Sequence, residues 1–351
     1  MTANFRSDNE TPVAAPIMEA ILDANHGTAW AYADDDWSGK LNQAFSELFR
    51  TDAVVLPVST GTVANSIALA AVTPPWGSVI CHNDAHIYAD ESGAPEFFGS
   101  GLRLVPVAGE NGKLQPAAVE KTVQENIGHG VHSYKASAMS LTQATEAGTV
   151  YSIDEVKALC ETAHHLGLVT HMDGARFGNA IASLGCHPAE VTVEAGIDML
   201  SFGASKNGCM AAEALVLFNQ PQLQDTAERL RKRSGHLLSK MRYVSAQLLA
   251  YIENGLWLDM ATHANAQAAK FAKAIENHPE ASLEYPVHAN EVFVNWSKEG
   301  FDHLEAQGIE LGLWPGRDDL ARFVFAHSTT DDEIDLLLNS LSLLKSHNQG
   351  C

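Results

Sequence analysis

The sequence predicts an α/β protein built on a mostly parallel sheet, with a small α+β domain at its C-terminal end. Three observations carry that expectation. Short apolar runs alternate with stretches of helical spacing from about residue 53 to about residue 206. The runs end in polar loops of small residues, as do strands whose carboxyl ends gather a ligand. Beyond Asn219 the alternation gives way to helices and then to a strand-rich tail. Such alternation calls for helices on both faces of the sheet and right-handed crossovers. The expected divisions are an N-terminal segment over 1–38, a large domain over 39–245 and a small domain over 246–351.

The opening stretch is polar, with one helix around 15–25, followed by Trp30, Tyr32 and the consecutive acids Asp34, Asp35 and Asp36. That acidic loop reads either as a solvated turn or as a cation site. Leu41, Phe45, Leu48 and Phe49 repeat at helical spacing before a buried strand over 53–58. Ser59-Thr60-Gly61-Thr62 then leads into a helix over 67–72. A turn of this kind puts free N–H groups, hydroxyls and the positive end of a helix dipole at one spot, which suits a phosphate. Ser and Thr are also ordinary helix caps, so both readings stand. A strand over 78–81 leads to His82 and His86, just past its end. His86 could stack on a flat cofactor or simply open a helix. Strand-like runs over 102–107 and 136–141 and helices over 116–125 and 153–166 continue the alternation.

Two further strand ends hold the chemistry. One apolar run ends in His171-Met172-Asp173-Gly174-Ala175-Arg176, the other in Gly203-Ala204-Ser205-Lys206-Asn207-Gly208. An ammonium at the end of a buried strand loses hydration, and a desolvated amine makes Schiff bases with carbonyl compounds. An aspartate across neighbouring strand ends keeps a pyridine nitrogen protonated. Together they suit pyridoxal 5′-phosphate, with Lys206 on its aldehyde and Asp173 on its ring.

Helices are expected over 222–233, 237–254 and 256–275, then strands over 283–285, 291–296 and 321–325 and a closing helix over 331–346. Arg229, Arg231, Lys232 and Arg233 read as a solvated helix face. Arg322, first in an apolar strand, is costly to bury unless it meets an anion, which makes it a candidate for a substrate carboxylate.

Composition narrows the partners. The 351 residues are 46% hydrophobic with a net charge of −21, and the few basic residues are scattered. A nucleic acid or an anionic membrane is therefore not an expected partner. The five cysteines, Cys81, Cys160, Cys186, Cys209 and Cys351, show no metal or dithiol spacing and read as reduced thiols of a cytoplasmic protein. No metal site is expected, and neither a signal peptide nor a membrane span is visible.

Several motifs together resemble one family. They are S-D-N near the start, S-T-G-T-x-A-N, A-H-x-x-x-D-E-x-G-A-P-E-F-F, Q-A-T-E-x-G, H-M-D-G-A-R-F and F-G-x-S-K-N-G. This combination resembles the pyridoxal-phosphate-dependent threonine aldolases, especially the low-specificity L-threonine aldolases of pseudomonads, over almost the whole chain. The resemblance implies the aspartate aminotransferase-like (fold type I) fold, with a seven-stranded sheet and a small C-terminal domain. It implies a homodimer or homotetramer with shared active sites. The implied reaction is retro-aldol cleavage of L-threonine, L-allo-threonine or phenylserine-like substrates to glycine and an aldehyde, reversibly. Carried over by position, Lys206 holds the cofactor, Asp173 partners its ring nitrogen, and His86 stacks on the ring and is the candidate base. Gly61 and Thr62 hold the phosphate. Arg176, beside the cofactor, and Arg322 take the substrate carboxylate, Ser7 lies near it, and Tyr32 reaches a neighbouring subunit's site.

The chain departs from the family pattern in three places. Thr142-Gln143-Ala144-Thr145-Glu146 stands where other bacterial members carry a histidine, and Ala33 stands where they carry a glycine. The phosphate-binding arginine has no clear counterpart, leaving Lys240 or Arg242. A β-eliminating lyase or a racemase would use the same lysine and aspartate. The intact lysine, aspartate and both arginines speak against a cofactor-binding or scaffolding protein that lost turnover. A dehydrogenase lacks its G-x-G-x-x-G.

Overall fold

The apolar runs become strands because they are buried on both faces, as parallel strands under helices must be. The computed structural model describes residues 2–127 and 130–347. Its seven-stranded sheet runs in the order Ala53–Val58, Glu213–Phe218, Met199–Gly203, Val169–Gly174, Lys135–Thr142, Gly77–His82, Arg103–Val107. All neighbours are parallel except Glu213–Phe218, which is antiparallel to both strands beside it. The sequence reading assigns no strand there. Ala214 to Phe218 is nevertheless an apolar run, and all six residues of the strand are buried.

The interval 181–194 before the lysine strand holds the end of a helix, Phe177–Leu184, which stops at Gly185 in the left-handed region (φ +61°), and the start of a 3-10 turn, Val193–Ala195. The helix expected over 237–254 is shorter, Arg242–Ile252, and ahead of it the His236 Nδ1 lies 3.0 Å from the Ser59 Oγ. The helix after the Ser59–Thr60 turn is longer than expected, Gly61–Val72, with the Thr60 hydroxyl accepting from the Val63 N–H as its cap.

The main core centres on the lysine strand. The Phe202 ring is fully buried, edge-on to Phe45 at 5.1 Å and 6.0 Å from Trp257. The neighbouring Gly203 admits the loop that follows Asp173, since a Cβ there would stand 2.5 Å from the Ala175 carbonyl oxygen. This glycine therefore lets the lysine and aspartate strands end side by side.

A second, antiparallel sheet orders Gly312–Leu313, Leu320–Val324, Glu291–Asn295 and Ser282–Leu283. Its core takes Phe271 and Ile275 from the helix Leu256–Glu276, whose other end places Trp257 in the main core. The chain's beginning joins this second core. Ala3–Asn4 pairs in parallel with Ile309–Glu310, and the buried Phe5 lies 5.1 Å from Phe325. The acidic loop of the opening stretch supplies a helix cap, with Asp35 accepting from the Ser38 N–H at 2.9 Å. Cys81, Cys160, Cys186 and Cys209 are free thiols, and Cys351 lies outside the described residues.

The packing around Phe202 makes a direct prediction. Phe202→Ala removes a ring from a close-packed centre and should cost about 3–5 kcal/mol. Urea unfolding would report this as a lowered midpoint with little change in slope.

Candidate active site

Loops at the carboxyl edge of the large sheet meet in a cavity of about 320 Å³, whose walls include Thr60, Gly61, Thr62, His86, Asp173 and Lys206. Each arrives from the end of a different strand or from the helix that follows it. A larger hollow of about 810 Å³ lies at Trp37, Lys40, Glu47, Leu249 and Glu253, and none of the expected cofactor or substrate residues lines it.

Lys206 sits in a short 3-10 turn, Ser205–Asn207, clamped on both sides. Asn207 donates through Nδ2 to the Tyr251 hydroxyl at 2.8 Å and the Trp257 carbonyl at 2.9 Å. The buried Glu213 accepts from the Ala204 N–H at 3.0 Å and the Ser205 N–H at 3.4 Å. Burial pushes the Glu213 carboxyl up to about 7, against the pull of these donors and of Lys206. Gly208, at φ +103°, closes the turn under Met260 and Ala14.

Asp173 is nearly fully buried. Its Oδ1 accepts from the Ala175 N–H at 3.0 Å and its Oδ2 from Asn65 Nδ2 at 2.9 Å. The same amide nitrogen donates to Glu91 Oε1, also at 2.9 Å, and Glu91 Oε1 meets His86 Nδ1 at 2.9 Å. Two carboxylates flanking one amide fix which end is nitrogen, because only the NH₂ can donate to both. The Glu91 hydrogen bond raises the His86 pKa against its partial burial. Burial raises that of Glu91 in turn.

Glu146 supports His86 from behind. Its Oε1 accepts from the His86 N–H at 2.7 Å and the Thr142 hydroxyl at 2.9 Å. Burial, with Asp173 nearby, pushes the Glu146 carboxyl up to about 7.

The two arginines form a separate chain beside the cavity. Arg176 holds Asp8 through Nε at 2.8 Å and Nη2 at 3.0 Å, and its Nη1 stands 3.1 Å from Glu291 Oε2. Arg322 Nη1 reaches Glu291 Oε1 at 3.3 Å, and the Arg322 side chain remains 31% exposed. Burial works against the Arg176 charge, but Asp8 and Glu291 hold its pKa above the ordinary value. Neither arginine lines the cavity itself, and neither do Ser7 and Tyr32. Ser7 caps the turn Asp8–Glu10, whose Asn9 does line it, while Tyr32 lies 49% exposed under the Lys232 ammonium, 4.4 Å from its ring centre. Lys240 is exposed and Arg242 reaches the Gly27 carbonyl, both away from the cavity lining.

The sequence reading therefore finds the residues at strand ends and misses those that hold them: Asp8, Asn65, Glu91, Glu146, Glu213 and Glu291. Asp8, Asn65, Glu91 and Glu146 stand inside motifs already noted, S-D-N, S-T-G-T-x-A-N, D-E-x-G and Q-A-T-E. For Glu213 and Glu291, acids opening apolar strands, burial was the only signal.

The sequence profile of the beta-eliminating lyase family matches residues 4–299. The chain belongs to that family. Within it, the chain is 40% identical over 343 residues to the low specificity L-threonine aldolase of Pseudomonas aeruginosa, covering 98% of each. It is 41% identical over 330 residues to that of a Pseudomonas sp. strain, covering 94% of each. The structure superposes on the threonine aldolase of Leishmania major with a TM-score of 0.91 and 26% identity, over 97% of this chain and 99% of that one. The fold is the type I fold of pyridoxal-phosphate enzymes, and the family's cofactor is pyridoxal 5′-phosphate. The cavity fits that group. It has a hydroxyl-rich helix start at one end, a lysine and a buried carboxylate, and the Asn65 Oδ1 and Glu91 Oε2 atoms are buried without a protein partner.

Glu146 gives this site a pH signature. A carboxyl whose pKa rises from 4.5 to about 7 on folding makes the folded protein bind more protons across that window, so stability falls as pH rises through it. Glu146→Gln keeps the acceptor for His86 and cannot ionise. It should flatten that fall and exceed the wild type in stability above the window, as urea midpoints across a pH series would show. An unchanged profile would place the proton elsewhere.

Proposed function

We propose that the chain is a pyridoxal-phosphate-dependent carbon–carbon lyase that cleaves L-threonine, L-allo-threonine and related β-hydroxy-α-amino acids, phenylserine-like ones included, to glycine and an aldehyde. One observation carries the proposal: Lys206, Asp173, His86 and the Gly61–Thr62 helix start line one cavity, in a chain 40% identical to an L-threonine aldolase along its length.

Lys206 would hold the cofactor aldehyde, Asp173 the ring nitrogen, and Gly61 and Thr62 the phosphate. When bound, the cofactor supplies a sink for the electron pair of the breaking Cα–Cβ bond. Asp173, fixed by Asn65 and the Ala175 amide, keeps a proton on the ring nitrogen. His86 has committed Nδ1 to Glu91, so Nε2 is the atom that takes the β-hydroxyl proton as the aldehyde leaves. A proton returned to Cα then completes glycine. Arg322, with only part of its fork spent on Glu291, takes the substrate carboxylate. Arg176, spent on Asp8 and Glu291, holds Glu291 and through it the aim of Arg322. Ser7, beside Asp8, would approach the same carboxylate.

The reading includes a cytoplasmic homodimer or homotetramer in which Tyr32 reaches a second copy's site. The exposure of Trp30, at 82%, beside the half-exposed Tyr32 favours such an interface. Among the described residues, no helix is long and apolar enough to cross a membrane.

The test is aldehyde and glycine release from L-threonine and L-phenylserine by the cofactor-loaded protein. Equal amounts of both products are expected, with none from Lys206→Ala. Arg322→Ala should raise KM at least about tenfold with a smaller change in kcat, the loss of a charge-assisted contact made before the bond breaks. Release of a 2-oxo acid and ammonia would instead assign β-elimination, and loss of optical activity without cleavage would assign racemisation.

A further inference from the structure

Arg231 does not lie on the solvated face expected of its basic cluster. Arg229, Lys232 and Arg233 are exposed, whereas Arg231 is 7% exposed. The reason is helical spacing: on the helix Gln224–Arg233 it follows the fully buried Ala227 by four residues. That helix packs on the helix Gly61–Val72 and on the strand Ala53–Val58.

The buried guanidinium has no acid to meet. Its Nε has no partner, its Nη1 reaches only the Pro57 carbonyl at 3.4 Å, and no carboxylate stands within ion-pair distance among the described residues. Burial holds its pKa below the ordinary guanidinium value despite Glu228 nearby. An unpaired buried cation is unfavourable unless an anion completes it.

The surroundings say where that anion would sit. Pro57 stands two residues before Ser59, where the phosphate turn begins. His236 ties the two together: its N–H donates to the Arg231 carbonyl at 3.1 Å and its ring Nδ1 meets the Ser59 hydroxyl at 3.0 Å. Burial lowers the His236 pKa, so this histidine adds a hydrogen bond and little charge. The cavity wall also carries His86, Glu91, Asp173, Lys206 and Glu213; the three acids repel a phosphate, and Lys206 and His86 are the residues read as meeting the cofactor's aldehyde and ring. Arg231, Lys240 and Arg242 all stand outside the cavity lining, and Arg231 is the one tied to the turn, through the Pro57 carbonyl and His236.

We infer that Arg231 supplies the positive charge of the cofactor-phosphate site, standing behind the Ser59–Thr62 turn and balanced when a phosphate dianion occupies it. This rests on the reading of that turn as the phosphate site of pyridoxal phosphate. Arg231 is then a positioning residue, acting through the turn and through the field it sets there.

The experiment compares binding of pyridoxal 5′-phosphate and of pyridoxal, which lacks the phosphate, to the full chain freed of cofactor. It is read as cofactor absorbance in the wild type, Arg231→Met, Arg231→Lys, Lys240→Ala and Arg242→Ala. Arg231→Met should weaken binding of the phosphate ester by about tenfold or more, the loss of one charge facing a dianion at close range. Its affinity for pyridoxal should stay within about twofold, while Arg231→Lys keeps most of the preference. The urea midpoint of the cofactor-free Arg231→Met protein should not fall, because a buried charge without a partner has been removed.

Equal weakening of both ligands by Arg231→Met, or none of the ester, would overturn the inference. So would loss of the ester preference in Lys240→Ala or Arg242→Ala, exposed or half-exposed variants whose folding does not depend on the Arg231 pocket. A wild type that binds neither compound would instead overturn the cofactor reading beneath it.

Discussion

The site depends on one amide. Asn65, in the first turns of the helix that follows the phosphate turn, donates to Asp173 on one side and Glu91 on the other. Through Glu91 it also sets the plane of His86. Three pieces of chain must therefore be in register at once: the helix carrying Asn65, the segment after His82 and the end of the aspartate strand. No hydrophobic contact could impose this. Apolar packing is tolerant of small shifts, whereas an amide between two carboxylates at 2.9 Å has one arrangement that satisfies both.

Around that amide the protein gathers more acid than base. Glu91, Glu146 and Glu213 are all pushed towards the neutral form by burial, so the interior avoids holding several unscreened negative charges together. The arginines are divided accordingly. Arg176 grips Asp8 through Nε and Nη2 and meets Glu291 through Nη1, whereas Arg322 meets Glu291 through Nη1 and keeps more donors to spare. A cation with unspent donors is the one suited to an incoming carboxylate.

The strand ends were legible because reactive residue types there are flanked by apolar runs and small residues. Lys206, Asp173, His86 and the Gly61–Thr62 pair were all found this way. Their supports were not, for a physical reason: an acid in a polar loop has the same spelling whether water or protein surrounds it. Glu91 and Glu146 look like solvated loop acids and are buried. Arg231 is a gentler case. Leu223, Ala227, Leu230 and Arg231 share one helical face, so the spacing already turned that arginine inward, and only the run of neighbouring charges disguised it. The antiparallel strand Glu213–Phe218 was hidden differently, by an apolar run lying in the shadow of the lysine motif.

The pairing of Ala3–Asn4 with Ile309–Glu310 has a consequence for how the enzyme comes into being. Ala3 and Asn4 find their strand partner only after the chain as far as Ile309 and Glu310 has been made. Asp8, a few residues further on, cannot settle against Arg176 and Asn290 with its flank anchored until then. Most of the large sheet can form during synthesis before that point, but the corner around Asp8 and Arg176 waits for a long loop to close. Completion of that corner is thus a late step of maturation, and a substitution that breaks the pairing of Ala3–Asn4 with Ile309–Glu310 would burden this step before any other.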